Sequence, residues 1–167
     1  MAKKNEEIKR ETQEWMRKHA SSFTHAVTLT MKQSREVMTT KGLTRQHLTE
    51  IEAKENFRLF LRNLSIAVYG KAAKRFGVSV HVIPVIEGLA TDKRLHYHCM
   101  IGNFRPEYED AQITSMIHAA WLKTDFGYAE IDVQPLEADG WINYITKEVG
   151  MGDADNVDYD NVHLPKE

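Results

Sequence analysis

The chain has 167 residues, 22 Lys and Arg against 24 Asp and Glu, and 42% hydrophobic content, which fits one soluble domain around a single core. No apolar run approaches the roughly 20 residues of a membrane helix. The start, Met1-Ala2-Lys3-Lys4-Asn5-Glu6-Glu7, lacks a signal-peptide core, and the lone Cys99 rules out an internal disulfide or a multi-cysteine zinc knuckle. A reducing, cytoplasmic compartment is expected. The charge is uneven: residues 151–167 carry Asp153, Asp155, Asp158, Asp160 and Glu167 against Lys166, leaving a slight excess of base, 21 to 19, in residues 1–150. The reading is therefore a helical extension over 1–22, a mildly basic domain over 23–150, and an acidic, solvated tail over 151–167.

Residues 5–20 read as a helix with Ile8, Trp15 and Met16 among many charges, docking loosely. Phe23 to Thr30 alternates as a first strand, with Phe23, His25, Val27 and Leu29 on one face and Thr24, Thr28 and Thr30 on the other. A basic, Thr-rich loop with Gly42 follows. Thr44 is the expected N-cap of a long helix to Tyr69, closed by Gly70. Its apolar stripe contains Phe57, Phe60, Leu61 and Leu64, and a second stripe is Lys54, Arg58 and Arg62. That basic stripe is a solvated face or a set of phosphate contacts.

Val78 to Glu87 reads as the second strand, with Pro84 marking an edge or a bulge. Gly88 to Lys93 turns the chain into a third strand ending at Gly102. Pro106 is expected to open a helix with Ile113, Met116, Ile117, Ala120 and Trp121 on its apolar face. After Gly127 comes a fourth strand, Tyr128 to Val133, then a last helix from Asp139 to Val149 stopped by Gly150. The order β-α-β-β-α-β-α implies an α+β, ferredoxin-like sandwich, an antiparallel sheet of four or five strands with helices on one face and the other face open.

The stretch Leu95-His96-Tyr97-His98-Cys99-Met100-Ile101 carries the chemistry. In a strand, side chains alternate with period two, so His96 and His98 share a face while Tyr97 and Cys99 enter the core. Two neutral imidazoles side by side form half of a divalent-metal site. Glu87, one strand earlier, supplies an oxygen ligand, and a His/His/Glu set suits Mg²⁺ or Mn²⁺ acting on phosphate. On the last helix, Tyr144 and Lys147 lie three apart and share a face. A phenol beside an ammonium is a candidate covalent nucleophile.

His96-Tyr97-His98 followed by Tyr144-x-x-Lys147 resembles the HUH endonuclease superfamily, specifically its single-tyrosine rolling-circle replication initiators (Rep proteins). Thr28-Leu29-Thr30 is similar to the family's first-strand motif, and Glu87 to its polar ligand one strand before the histidines. The likeness spans Phe23 to Val149. It implies a metal-dependent, sequence-specific nickase and strand transferase for single-stranded or hairpin origin DNA. Tyr144 would be the nucleophile, leaving a 5′-phosphotyrosine and a free 3′-hydroxyl. Thr28, Thr30, Lys54, Arg58 and Arg62 are the expected DNA contacts. No G-x-x-x-x-G-K-[ST] loop occurs, so a separate helicase and host replication proteins are expected partners. Tyr128 and Tyr159 lack a lysine three residues on. The alternatives are an HUH transposase or relaxase, or a non-catalytic single-stranded nucleic-acid-binding module. A cupin fits poorly, because Gly102-Asn103-Phe104 stands where its glutamate belongs.

Overall fold

The computed structural model describes residues 1–89, 91, 93–151 and 156–167. Its elements are α1 (Ala2–His19), β1 (His25–Met31), β2 (Ser34–Thr39), β3 (Gly42–His47), α2 (Glu50–Tyr69), α3 (Lys71–Phe76), β4 (His81–Glu87), β5 (His96–Gly102), α4 (Asp110–Leu122), β6 (Gly127–Pro135) and α5 (Ala138–Ile145). Strands β4-β5-β1-β6, in that order, form one antiparallel sheet. With α2 and α4 as crossovers, this is the expected ferredoxin-like sandwich. None of the described helices is long and apolar enough to cross a membrane.

Strand alternation builds the main core. Val27 and Leu29 of β1 and Tyr97, Cys99 and Ile101 of β5 face Phe57, Phe60 and Leu64 of α2 and Ile117 and Trp121 of α4. These side chains are almost wholly buried, each worth about 1.5–3 kcal/mol of transfer free energy.

Local chemistry moved several expected boundaries. Helix α2 begins after Thr49 rather than Thr44, because Thr49 and Glu52 form a reciprocal capping box. Thr44 has His47 at the corresponding position. The expected loop between Thr30 and Thr44, together with the first turn of the helix expected from Thr44, instead forms the β2–β3 hairpin, turned at Gly42 with φ +100°. Gln33 fastens its root to β5 through both backbone polar groups of Leu95. Helix α4 starts at Asp110, capped by Glu109 with Gln112, and Pro106 lies in the turn before it. Helix α5 stops at Ile145, where the Thr146 hydroxyl bonds back to the Ile142 carbonyl.

The second face of the sheet is only half open. Helix α1 does not dock loosely: Met16 is fully buried, and Gln13 and Arg17 bond Thr146 and Asn143. With α5 it roofs the β4–β5 half of this face over Ile83, Val85 and Met100. Over β1 and β6 the face stays accessible at Thr28, Thr30, Asp132 and Gln134.

The tail also departs from expectation. Asp153 and Asp155 lie outside the described residues, but beyond them the chain packs along β4, bridging Val85 to Val157 and Val82 to His163. Pro84 therefore sits on the sheet's edge strand, where its missing N–H costs no ladder bond, and its carbonyl accepts from Asp158 N–H. Asp158 is fully buried, and its Oδ2 accepts from the Tyr97 hydroxyl at 2.9 Å and Asn161 Nδ2 at 2.6 Å. Burial raises its carboxyl above the ordinary range, against those two donors. Tyr97→Phe strips one donor from a buried carboxylate and is expected to destabilise the domain by about 1–3 kcal/mol, read as a lower urea midpoint at unchanged m-value.

Candidate metal centre

The cross-strand register assembles the site. Glu87, the last residue of β4, stands directly opposite His96, the first of β5, and Thr28 of β1 stands opposite His98. Directly opposed residues share a face, so Glu87, His96, His98, Thr28 and Thr30 all project from the second face. Pro84 causes no slip, since its partner is Cys99 in unbroken register.

The ligand atoms converge. His98 Nε2 lies 2.7 Å from Glu87 Oε2 and 3.1 Å from His96 Nε2, and His96 Nε2 is 3.4 Å from Glu87 Oε2. These three side chains form a group able to hold a metal ion. Glu87 and His98 are buried, whereas His96 keeps 21% of its side chain exposed, leaving a way in.

The imidazoles are oriented from behind. His96 Nδ1 lies 2.9 Å from the Arg94 carbonyl, which can only accept, so Nδ1 carries the proton and Nε2 presents its lone pair. His98 Nδ1 lies 2.9 Å from the Thr28 hydroxyl. A hydroxyl donates or accepts, so Thr28 supports either tautomer. It can hold Nε2–H donating to Glu87 without a cation, or a bare Nε2 with one. Thr28→Val removes this support at nearly constant volume and is expected to weaken metal affinity about 10–100-fold. A Mn²⁺ titration followed by thermal melting reads the change.

The electrostatics favour a ligand set ready at neutral pH. Burial, then the neighbouring His96, pushes His98 down to about 4, keeping it neutral. Burial alone would raise Glu87, but the Lys147 ammonium at 2.8 Å and the two histidines outweigh it and hold the carboxyl below its usual range. Lys147, despite burial, is held above its ordinary value by Glu87 and Tyr144. The metal-free protein is therefore expected to lose stability as pH falls. The unfolded chain takes up the His98 proton near 6.5, whereas the folded one resists it to about 4. The contribution is complete above 6.5 and is lost on descending through 4, about 3 kcal/mol in all. Urea unfolding in EDTA across that range, compared with His98→Gln, checks it.

Tyr144 and Lys147 reach the same place from α5. The Tyr144 ring meets the His98 ring edge-on at 5.2 Å between centroids and stacks on Trp141 at 5.6 Å. Lys147 Nζ sits 3.8 Å from the centre of the Tyr144 ring. Tyr144 remains 48% exposed.

No known protein-family model, curated protein or solved structure matches this chain.

The site contains residues whose roles the sequence pattern left unassigned. Glu148, buried at 4% exposure, accepts from Gly88 N–H through Oε2. Its Oε1 has no hydrogen bond among the described residues and lies 3.6 Å from Lys93 Nζ, which stands equally far from Glu87 Oε1. Glu148 thus braces the β4 end that carries Glu87, and Gly88 at φ +104° lets the chain turn there. The one available signal was its place directly after Lys147.

The expected DNA contacts are divided. Thr28 backs His98. The Thr30 hydroxyl donates to the Glu130 carbonyl at 2.5 Å. Lys54, Arg58 and Arg62 lie on α2, which packs on the opposite face of the sheet. The sheet stands between that stripe and the triad.

Proposed function

We propose that this chain is a metal-dependent nickase and strand transferase of the HUH type, acting on single-stranded DNA through Tyr144. The reading rests on one observation: Glu87, His96 and His98 present three ligand atoms to one point, with the Tyr144 ring packed against His98 and Lys147 touching both Glu87 and Tyr144. The edges of the ligand triangle, 2.7, 3.1 and 3.4 Å, bracket the roughly 3.0 Å between adjacent ligands of an octahedral shell about 2.1 Å in radius. The triangle suits a small divalent cation, which we take to be Mg²⁺ or Mn²⁺ for phosphate chemistry, with one triangular face supplied by protein and the rest left to water and substrate. A bound cation would polarise a non-bridging phosphate oxygen as a Lewis acid.

In this reading the Tyr144 oxygen loses its proton and attacks phosphorus. The bond to the 3′ oxygen breaks, that oxygen gains a proton, and the 5′ phosphate remains esterified to tyrosine. The reverse step rejoins strands, with no net loss of phosphodiester. Lys147 is placed to offset negative charge developing on the phosphate, while holding Glu87 ionised in its free state. Lys93 and the exposed Arg94 add positive charge at the mouth. A passive stacking module is less favoured. The aromatic residue of β5, Tyr97, is buried on the other face of the sheet, out of reach of a base. Rolling-circle initiation and a helicase partner remain part of the proposal.

The test is a pool of randomised single-stranded oligonucleotides incubated with the protein and Mn²⁺. An SDS-stable protein–DNA adduct, absent in EDTA, supports the reading, and the trapped strands reveal the sequence. Cleavage without an adduct, or no reaction at any metal concentration, would overturn it.

A further inference from the structure

Away from the triad, on the other side of the sheet, a cleft of about 510 Å³ opens between α2, α3 and the residues leading into β4. That lies within the range of small-ligand sites, roughly 300–1,000 Å³. Its apolar surface comes from Leu61, Ile66, Ala73 and Val78. Arg58 and Arg62 enter from α2, one helical turn apart, and Lys74 enters from α3. None of these three cations forms an ion pair among the described residues. The final segment contributes His163, anchored by its backbone pairing with Val82 and by Nδ1 lying 3.1 Å from the Ser79 hydroxyl. Burial holds that imidazole below its ordinary range.

Three unpaired cations over an apolar surface ask for an anion with an organic body. Guanidinium groups match phosphate oxygens in fork geometry and are well suited to such a role. The positive charge is also local. Toward the start of α2 the stripe meets Glu50, Glu52 and Glu55, and Lys54 is tied to Glu50 at 3.0 Å with Asp158 and Asp160 nearby. A nucleic-acid strand following the helix would run into these carboxylates. A ligand the size of one nucleotide would not.

We propose that this cleft binds a mononucleotide-sized phosphoester, its phosphate held by Arg58, Arg62 and Lys74 and its organic part laid on the apolar surface. The site is independent of the metal centre, so its fate does not depend on the nickase reading.

The probe is AMP, titrated calorimetrically into the full chain in EDTA, with thermal melting in parallel. Saturable one-to-one binding is expected, with inorganic phosphate and adenosine each at least about tenfold weaker. The exposed pair Arg58→Ala with Arg62→Ala, and separately Lys74→Glu, should each weaken AMP at least about tenfold, while His98→Ala leaves it unchanged. Inorganic phosphate binding as tightly as AMP would reduce the cleft to a bare anion site and overturn the proposal. So would a single-stranded oligonucleotide outcompeting AMP through the same arginines, AMP binding that survives the double substitution, or no saturation to about 10 mM.

Discussion

With Tyr144 as the proposed nucleophile, Tyr144→Phe is expected to abolish the covalent DNA adduct, by more than about a thousandfold, because it removes the oxygen that would attack and nothing else of size. The variant keeps the ring that packs on His98 and Trp141 and lies half exposed at the surface, so folding and metal affinity should stay near wild type. Affinity for the oligonucleotide should change by less than about threefold, since the lost hydroxyl acts in the reaction rather than in ground-state binding. A labelled strand resolved on a denaturing gel reads the adduct, and filter binding reads the affinity. An adduct that persists in this variant would assign the nucleophile elsewhere.

The second large effect belongs to His98. At a Mn²⁺ concentration 100 times its dissociation constant, a cation bound only by the folded state stabilises the wild type by about 2.7 kcal/mol. For a domain of this length that is a rise of about 5–10 °C in melting temperature. His98→Ala deletes the ligand in contact with both other ligands and should flatten the shift to within about 1 °C, along with all cleavage. It also removes the ring beneath Tyr144 and Trp141, so a lower melting point in EDTA is expected from lost packing. His98→Gln, which keeps bulk and a hydrogen-bonding group, separates the two causes. A wild-type shift unchanged in both variants would mean that the cation binds elsewhere.

Much of the site was legible because it rests on short-range periodicity. Two histidines two apart in a strand must share a face, and Tyr144 and Lys147 three apart on a helix must lie together. Glu87 was less secure, since Pro84 left its face open. The register resolved it by pairing Pro84 with Cys99 and Glu87 with His96 in an unbroken ladder. The α2 boundary was misplaced by five residues because threonine alone is a weak cap signal, and Glu52 decides between Thr44 and Thr49. The charge of the tail points to a solvated end, yet Asp158 is buried because the Tyr97 hydroxyl and Asn161 offer it hydrogen bonds in the fold.

By itself the sequence determined the types of the core strands and helices, the alternation of β5 that pairs His96 with His98, and the pairing of Tyr144 with Lys147. All of these follow from side-chain spacing of one to four residues. Only the tertiary structure decided that Thr28 backs His98, that Glu148 braces Glu87 through Gly88, and that Lys54, Arg58 and Arg62 stand across the sheet from the triad. Those relations join residues 25 to 70 positions apart in the chain. They depend on which strand pairs with which and on which face a helix covers, and no local pattern records either.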